Sequence, residues 1–161
     1  MTTLLNLTIL LATLGSLLMA GLFYAFSTAV MPALGRVAPG SGMEVMQRIN
    51  EVILNPVFLG VFTGTALLAL AAAGLGWAQA PRAAAVLFTL GALTYAVGVF
   101  GVTAALNVPM NEVLAKLGAD SAAGHDYWRV YLRDWTLWNT VRALAGVVSG
   151  ACLIAGSMAL R

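Results

Sequence analysis

The distribution of polar residues divides the chain into four long apolar segments. Four stretches contain no charged residue and are 35, 30, 29 and 18 residues long: 1–35, 52–81, 83–111 and 143–160. A membrane-spanning helix needs about 20 mainly apolar residues. We therefore predict four spans near residues 4–34, 55–79, 84–106 and 139–160. The polar segments 35–54 and 107–138 are predicted to form two caps.

A soluble all-α bundle is the main alternative to membrane spans. Its helices would carry a polar stripe at a period of 3.6 residues, and residues 67–80 show almost none. The first apolar run lacks a basic start and is too long for a cleaved signal peptide, so we expect it to be retained. The fold class predicted is all-α: a transmembrane four-helix bundle with two polar, partly helical caps on one side. Residues 1–161 are predicted to form a single membrane domain.

The caps are predicted to be partly helical because of their charge spacing. In each cap an acidic residue precedes a basic one by four positions, the favourable order for a helical pair: Glu44–Arg48 and Glu112–Lys116. We expect one short helix at 43–54 and a loop at 118–124. His125 is predicted to lie within a loop, in Ala123-Gly-His-Asp126, and we expect it to be solvated.

Four alternating spans place both caps on one side of the membrane and the short turn 80–83 on the other. More basic residues lie on the capped side (Arg36, Arg48, Lys116, Arg129 and Arg133) than on the opposite side (Arg82 and Arg161). The positive-inside rule therefore favours a cytoplasmic cap. The expected localisation is a multi-pass integral protein of a bacterial-type cell membrane. A cap over the end of a helical bundle is also where a pocket would form.

Overall composition narrows the function. Of the residues, 61% are hydrophobic and 9% are charged, against about 25% charged in an ordinary soluble domain. A net charge of +2 gives no basic patch for nucleic acid. Cys152 and His125 are the single cysteine and histidine, so we predict no disulfide and no metal site. Neither a Gly-x-Gly-x-x-Gly nor a Walker motif is present, so nicotinamide or ATP use has no support.

One stripe of candidate residues lies on the last predicted helix. Its members repeat at intervals of three and four residues: Trp128, Tyr131, Trp135, Trp138 and Arg142. For Trp128 and Tyr131 we favour an aromatic belt at the membrane interface. Arg142 differs because an ionisable group inside an apolar helix usually faces the bundle interior or a cavity. Either it acts on a ligand, or it pairs with a carboxylate such as Glu51 or Glu112.

Five asparagines form a second candidate set. All lie at predicted span ends on the capped side: Asn50, Asn55, Asn107, Asn111 and Asn139. Buried amides must be hydrogen-bonded, and one role for them is to satisfy backbone groups freed by Pro56 and Pro109. Five amides and one guanidinium are more hydrogen-bonding groups than the backbone groups freed by two prolines require. As a set, they are candidates to hold the polar group of a flat, apolar ligand.

The two halves of the chain share a spacing. Gly21-Leu-Phe23 precedes Pro32 by the same interval as Gly98-Val-Phe100 precedes Pro109, and both prolines end a predicted span. This spacing suggests a two-fold repeat of span, cap and span.

Four motifs together identify a family resemblance. In chain order they are Phe23 to Leu34 (FYAFSTAVMPAL), Met46 to Pro56 (MQRIN and NP), Asn107 to Asn111 (NVPMN) and Trp135 to Arg142 (WTLWNTVR). In this order they resemble the DUF1772 family, also called the anthrone oxygenase family, over nearly the whole chain. The chain has Thr140 where a related Trp-Asn-His-Val-Arg motif has His.

The resemblance implies a small four-span membrane protein, and some members are assigned the oxidation of an anthrone to an anthraquinone by O2. An anthrone that loses its CH2 proton becomes an enolate that reduces O2 directly, so we expect no cofactor. The expected partners are an apolar aromatic molecule, O2 and the bilayer, with no nucleic acid. Whether the protein forms a homo-oligomer stays open.

This chemistry suggests roles for the candidate residues. Trp135 and Trp138 are expected to stack on the rings, while Arg142 and Asn139 hydrogen-bond the oxyanion. Asn107 or Asn111 would hold a peroxide, and the other amides, Asn50 and Asn55, would contact the substrate. The proton acceptor is left open among four groups: Glu51, Glu112, Asp134 and His125.

The competing interpretation is not catalytic. The same cap would then bind a lipid or quinone, or dock a partner membrane protein. Transport ranks lower because the spans lack a chain of carboxylates. A metal oxidase is weakly supported.

Overall fold

The computed structural model describes residues 3–160, which form five helices and contain no strand. The helices are α1 (Thr3–Leu34), α2 (Pro39–Val52), α3 (Pro56–Gln79), α4 (Arg82–Ala115) and α5 (Ala122–Met158). All except α2 are long and apolar enough to cross a membrane. The predicted all-α transmembrane bundle is therefore confirmed. Arg161, which entered the count of basic residues, lies outside the described range.

The four long helices form a closed ring. α1 and α4 each pack between α3 and α5. α2 lies across one end of the ring, where it contacts the last turn of α1, the end of α4 and the first half of α5. This short helix closes the bundle on the side where the sequence predicts the caps.

Small residues bring the long helices close together. A Cβ atom added at Gly146 of α5 would lie 2.9 Å from the Ala20 Cβ and 3.1 Å from the Ser16 carbonyl oxygen of α1. Large apolar side chains such as Leu18 and Leu144 are exposed on the outside of the bundle. Lipid is as apolar as these side chains, so the hydrophobic effect does not drive helices together in a membrane. Helices there associate through close packing of their backbones.

Both span-ending prolines follow a π-helical turn. The turns are Phe26–Val30 before Pro32 and Thr103–Asn107 before Pro109. A proline lacks an N–H, and its ring displaces the carbonyl four residues earlier, so the wider turn accommodates it within a continuous helix. The offset between turn and proline is the same in both halves, which supports the two-fold repeat suggested by the sequence.

The second polar segment contains less loop than expected. α4 continues through Pro109 to Ala115, and α5 starts after Ser121, whose hydroxyl accepts a hydrogen bond from the Gly124 N–H at 2.9 Å. Most of 107–138 is therefore an extension of two span helices. His125 lies in the first turn of α5, not in the loop predicted around it.

The predicted i,i+4 ion pairs do not form. Arg48 pairs with Glu51 at 2.8 Å, one turn in the other direction, and not with Glu44. No ion pair between Glu112 and Lys116 occurs in the described structure. Both predicted pairs were wrong. An ion pair between exposed side chains contributes little energy, so the spacing of the charges alone does not determine which pairs form.

Candidate functional site

A cavity of about 90 Å³ lies beneath α2, between the capped ends of the four long helices. Its wall is mostly apolar and includes Phe23, Phe26 and Phe58. Its polar side chains are Asn50, Thr103, Asn111, Asn139 and Arg142. The sequence placed a pocket under the cap, and four of these five polar residues were candidates.

Arg142 is the dominant polar group of the cavity wall. It exposes only 5% of its surface. Its Nη1 donates to the Thr103 hydroxyl at 3.1 Å, and its Nη2 donates to the Asn139 Oδ1 at 2.7 Å. Its Nε is buried and has no hydrogen-bond partner within residues 3–160. A guanidinium has five N–H donors, so this one retains capacity for a further acceptor.

Two aromatic rings flank the guanidinium. The Arg142 Cζ lies 4.3 Å from the centre of the Phe23 ring and 5.3 Å from that of Trp135. Both distances fall in the range of cation–π attraction. The rings help to keep a positive charge inside an apolar site.

Neither proposed carboxylate pairs with Arg142. Glu51 pairs with Arg48 instead, and none of the ion pairs in the described part of the chain includes Arg142 or Glu112. The alternative of a purely structural ion pair is therefore not supported. Arg142 lies in the cavity with neutral hydrogen-bond partners.

Asn139 holds Arg142 in place. Its Nδ2 donates to the Phe23 carbonyl oxygen at 2.6 Å and to the Ser27 hydroxyl at 2.7 Å, while its Oδ1 accepts from Arg142. An amide NH2 has two hydrogens, and both are used. The expected donation from Asn139 to a substrate oxyanion would require one of these two hydrogen bonds to break. Asn139 instead ties α5 to α1 and positions the guanidinium.

A polar network forms one side of the cavity. The Asn111 Oδ1 accepts two hydrogen bonds, from the Tyr131 hydroxyl and from the Trp135 Nε1, each at 2.8 Å. The Tyr131 hydroxyl lies 3.4 Å from the Asn50 Nδ2, which donates to it. The network fixes the indole of Trp135 at the cavity and leaves the Asn111 NH2 group available.

The aromatic stripe of α5 forms a stacked column. Tyr131 stacks between Trp128 and Trp135, with ring centres 5.6 and 5.7 Å apart and an interplanar angle of 18° in both pairs. Trp128 and Tyr131 expose 2% and 0% of their surfaces. The predicted interfacial belt is therefore wrong for these two residues, because α2 and the end of α4 cover this part of α5.

Three candidates lie away from the cavity wall. Trp138 is half-buried and does not line the cavity. Asn55 caps α3, and its Oδ1 accepts from the backbone N–H groups of Val57 and Phe58 at 3.1 and 3.0 Å. Asn107 is buried and donates to the Trp135 carbonyl oxygen at 3.2 Å. The last two residues therefore have structural partners of their own.

A second cleft of about 690 Å³, which contains charged side chains, adjoins the cavity. Its charged residues are Glu44, Arg48, Glu51, Glu112 and Asp120, and it shares Asn50 and Asn111 with the cavity. The two candidate bases Glu51 and Glu112 therefore line the cleft and not the cavity. Asp134 pairs with Arg133 at 2.6 Å, and His125 lies at the start of α5.

Several cavity residues were not singled out from the sequence. Phe23 and Phe26 lie in the first family-like motif, and Phe58 follows Asn55-Pro56 in the second. Thr103 carried no signal, because a single threonine in an apolar span is common. Tyr131 belongs to the stripe on the last helix, where its aromatic ring predicts an interfacial belt and not a contact near the cavity.

The described part of the chain contains no group of three or more His, Cys, Asp or Glu side chains placed to bind a metal.

In comparisons with known proteins, a family model described as anthrone oxygenase matches residues 46–152, which is more than half of the chain. The match includes the second half of α2 and the polar residues of the cavity. No curated protein and no solved structure gives a significant match.

Proposed function

The chain belongs to the anthrone oxygenase family, and we propose on this basis that it oxidises a flat, anthrone-type aromatic to a quinone with O2. The chain is an anthrone-oxygenase-like membrane protein with four helices able to cross the bilayer. The substrate, the use of O2 and the independence from cofactors are the proposed part.

One observation carries the proposal. Arg142 is buried in an apolar cavity and has no carboxylate partner among residues 3–160. A buried charge without a counter-ion is costly, and intramembrane ionisable residues mark functional sites. An oxyanion that develops on an aromatic substrate would supply the missing negative charge, and the dry surroundings would strengthen the interaction.

The proposed reaction balances without a cofactor. The CH2 group of the anthrone loses a proton, and the resulting enolate transfers one electron to O2. The two radicals combine and form a carbon–oxygen bond, and the peroxide takes up a proton. Its O–O bond then breaks and releases hydroxide, which takes the proton of the remaining C–H bond and leaves as water, while the C–H electron pair forms the second carbonyl. One anthrone and one O2 give one quinone and one water.

Five cavity residues have a role in this scheme. Arg142 hydrogen-bonds the enolate oxygen, and the rings of Phe23 and Trp135 provide flat apolar contacts for the substrate. Asn139 positions Arg142. The free NH2 group of Asn111 is the donor that best fits the peroxide, since the Asn111 Oδ1 is already occupied.

Substitution of Arg142 tests the proposal. Loss of one oxyanion donor typically lowers kcat by about 10²–10³-fold, and we expect Arg142→Ala to fall in this range. Arg142→Lys, which keeps a charge but loses the planar fork, should retain part of the rate. The measurement is quinone formation by absorbance, with purified protein and a simple anthrone.

Arg129→Ala is the matched control. Arg129 is exposed on the same helix and pairs with Asp126 at 2.7 Å, so its loss should leave kcat unchanged. A monodisperse elution profile establishes that each variant is folded. Full activity of folded Arg142→Ala would contradict the proposal. Absence of any catalysed oxidation by the wild type would favour the non-catalytic alternative, a lipid- or quinone-binding protein.

A further inference from the structure

The cavity contains a positive charge but no base. Among the described residues that line it, Arg142 is the only ionisable side chain. The remaining polar groups are the amides of Asn50, Asn111 and Asn139 and the hydroxyl of Thr103. None of these neutral groups removes a proton from carbon at an appreciable rate. A substrate seated against Arg142 therefore has no protein base within the cavity wall.

The carboxylates lie on the other side of a partition that the cleft and the cavity share. Glu51 and Glu112 line the adjacent cleft, and the partition consists of two amides, Asn50 and Asn111, and three apolar residues, Ile53, Leu54 and Val108. The partition is itself hydrogen-bonded through Tyr131. Four carboxylates line the cleft, those of Glu44, Glu51, Glu112 and Asp120, whereas none of the described residues that line the cavity carries a carboxylate. A proton that leaves a substrate is therefore stabilised on the cleft side and not beside Arg142.

The guanidinium is arranged to receive an anion. Its Nη atoms contact only neutral oxygens, those of Thr103 and Asn139, and its Nε lacks a partner within residues 3–160. Charge-assisted hydrogen bonds from a buried guanidinium are strong. The rings of Phe23 and Trp135 flank the guanidinium, and their centres lie 4.3 and 5.3 Å from its Cζ.

We propose that the cavity selects its substrate as a preformed anion, the ionised form of a fused-ring phenol or anthrone, and that no side chain of the cavity removes the proton. The proton is released to water before the anion enters. The electron transfer to O2 then proceeds from the bound anion. This inference rests on the proposed function for its substrate class, but the anion selectivity of the site is testable without turnover.

A pair of inert ligands tests the selectivity. Anthracene-9-carboxylate carries a negative charge, and anthracene-9-carboxamide is a neutral molecule of similar shape. Their fluorescence is titrated with protein in phosphatidylcholine nanodiscs and compared with protein-free nanodiscs. We expect the wild type to bind the carboxylate at least about tenfold more tightly than the carboxamide, as a charge-assisted contact implies.

Variants assign the selectivity to the guanidinium. Arg142→Gln should bring the ratio of the two affinities close to one, and Arg142→Lys should restore part of it. Arg129→Gln is the control and should keep the wild-type ratio. Comparing ratios cancels the different partition of the two ligands into lipid. Equal affinity of the wild type for both ligands would overturn the inference.

Turnover provides a second readout. The pH dependence of kcat/KM reports ionisations of the free enzyme and free substrate. With two anthrones of different CH2 acidity, we expect the midpoint of the profile to shift with the substrate. The same midpoint for both anthrones would show that a protein group removes the proton, and the inference would fail.

The two proposals fail differently. If quinone formation depends on Arg142 but the carboxylate is not preferred, the proposed function stands and the preformed anion is rejected. If the carboxylate is preferred but no anthrone is oxidised, the anion site stands and the oxygenase function is rejected.

Discussion

At the residue scale, Arg142 illustrates how a buried charge is kept without an ion pair. Two neutral oxygens accept from its Nη atoms, and two aromatic faces lie at 4.3 and 5.3 Å from its Cζ. These contacts compensate only part of the lost hydration. The remaining cost is consistent with a site that is completed by an anionic ligand.

Asn139 and Asn55 allow a test of which asparagines serve the site. Asn139→Ala removes the acceptor of the Arg142 Nη2, and a hydrogen bond to a charged group contributes about 1.5–3 kcal/mol. We expect kcat for quinone formation to fall about ten- to a hundredfold, and the carboxylate preference to weaken.

Asn55→Ala is the matched change. It removes the side-chain cap of α3, so the free energy of unfolding should fall by about 1 kcal/mol. Catalysis should not change, because Asn55 does not line the cavity. Equal loss of activity in both variants would contradict the separate roles assigned to them.

The sequence predicts which residues lie at the cavity when the residue type is unusual for an apolar helix. It does not predict residues whose side-chain orientation depends on packing. Asn139 and Arg142 lie three positions apart in an apolar helix, and their polar side chains made them candidates. Trp135 and Trp138 are equally aromatic, but only Trp135 faces the cavity. The helical period alone does not show which of the two indoles lines the cavity, because the packing of α1 and α2 against α5 determines which face of α5 lies there.

At the element scale, the π turns explain how two helices pass through proline without breaking. The turns before Pro32 and Pro109 lie next to the cavity, where Phe26 and Thr103 belong to its wall. π-helical turns are frequent at functional sites. The sequence showed the equal spacing of the prolines. It did not predict the turns, because an apolar helix with a proline is also compatible with a kink.

Helix contacts give a prediction about stability. Gly146→Ala places a Cβ 2.9 Å from the Ala20 Cβ and 3.1 Å from the Ser16 carbonyl oxygen. Because the α1 backbone must move, we expect a loss of about 1–3 kcal/mol, as in other overpacked cores. The measurement is the free energy of unfolding from a titration with sodium dodecyl sulfate in mixed micelles.

Gly21→Ala is the control for the same chemical change. No atom lies within 4 Å of a Cβ added at Gly21, so this variant should be neutral or slightly more stable, because alanine favours helix. Similar destabilisation of both variants would show that the contact between α1 and α5 is not as close as described.

At the scale of the whole molecule, the four uncharged stretches were enough to predict the number of spans. The cavity could not be predicted in the same way, because it depends on how the helices pack in three dimensions. The cavity is built by all five helices, and no local pattern specifies such an arrangement. The two-fold repeat is also incomplete. Phe23 lies over Arg142, whereas Phe100, its counterpart by spacing, stacks on Phe62 with ring centres 5.2 Å apart. The two phenylalanines therefore have different environments, and both halves contribute residues to the cavity.

The cytoplasmic position of the cap and the bacterial-type cell membrane stay predictions. We propose that this bundle accelerates the reaction of an anthrone with O2. The most direct measurement is O2 uptake by the wild-type protein with a simple anthrone in an oxygen electrode, with and without a chelator. We expect uptake faster than the protein-free rate, one O2 for each quinone formed, and no effect of the chelator. Uptake no faster than the protein-free rate would contradict the oxygenase function, and uptake abolished by the chelator would contradict cofactor independence.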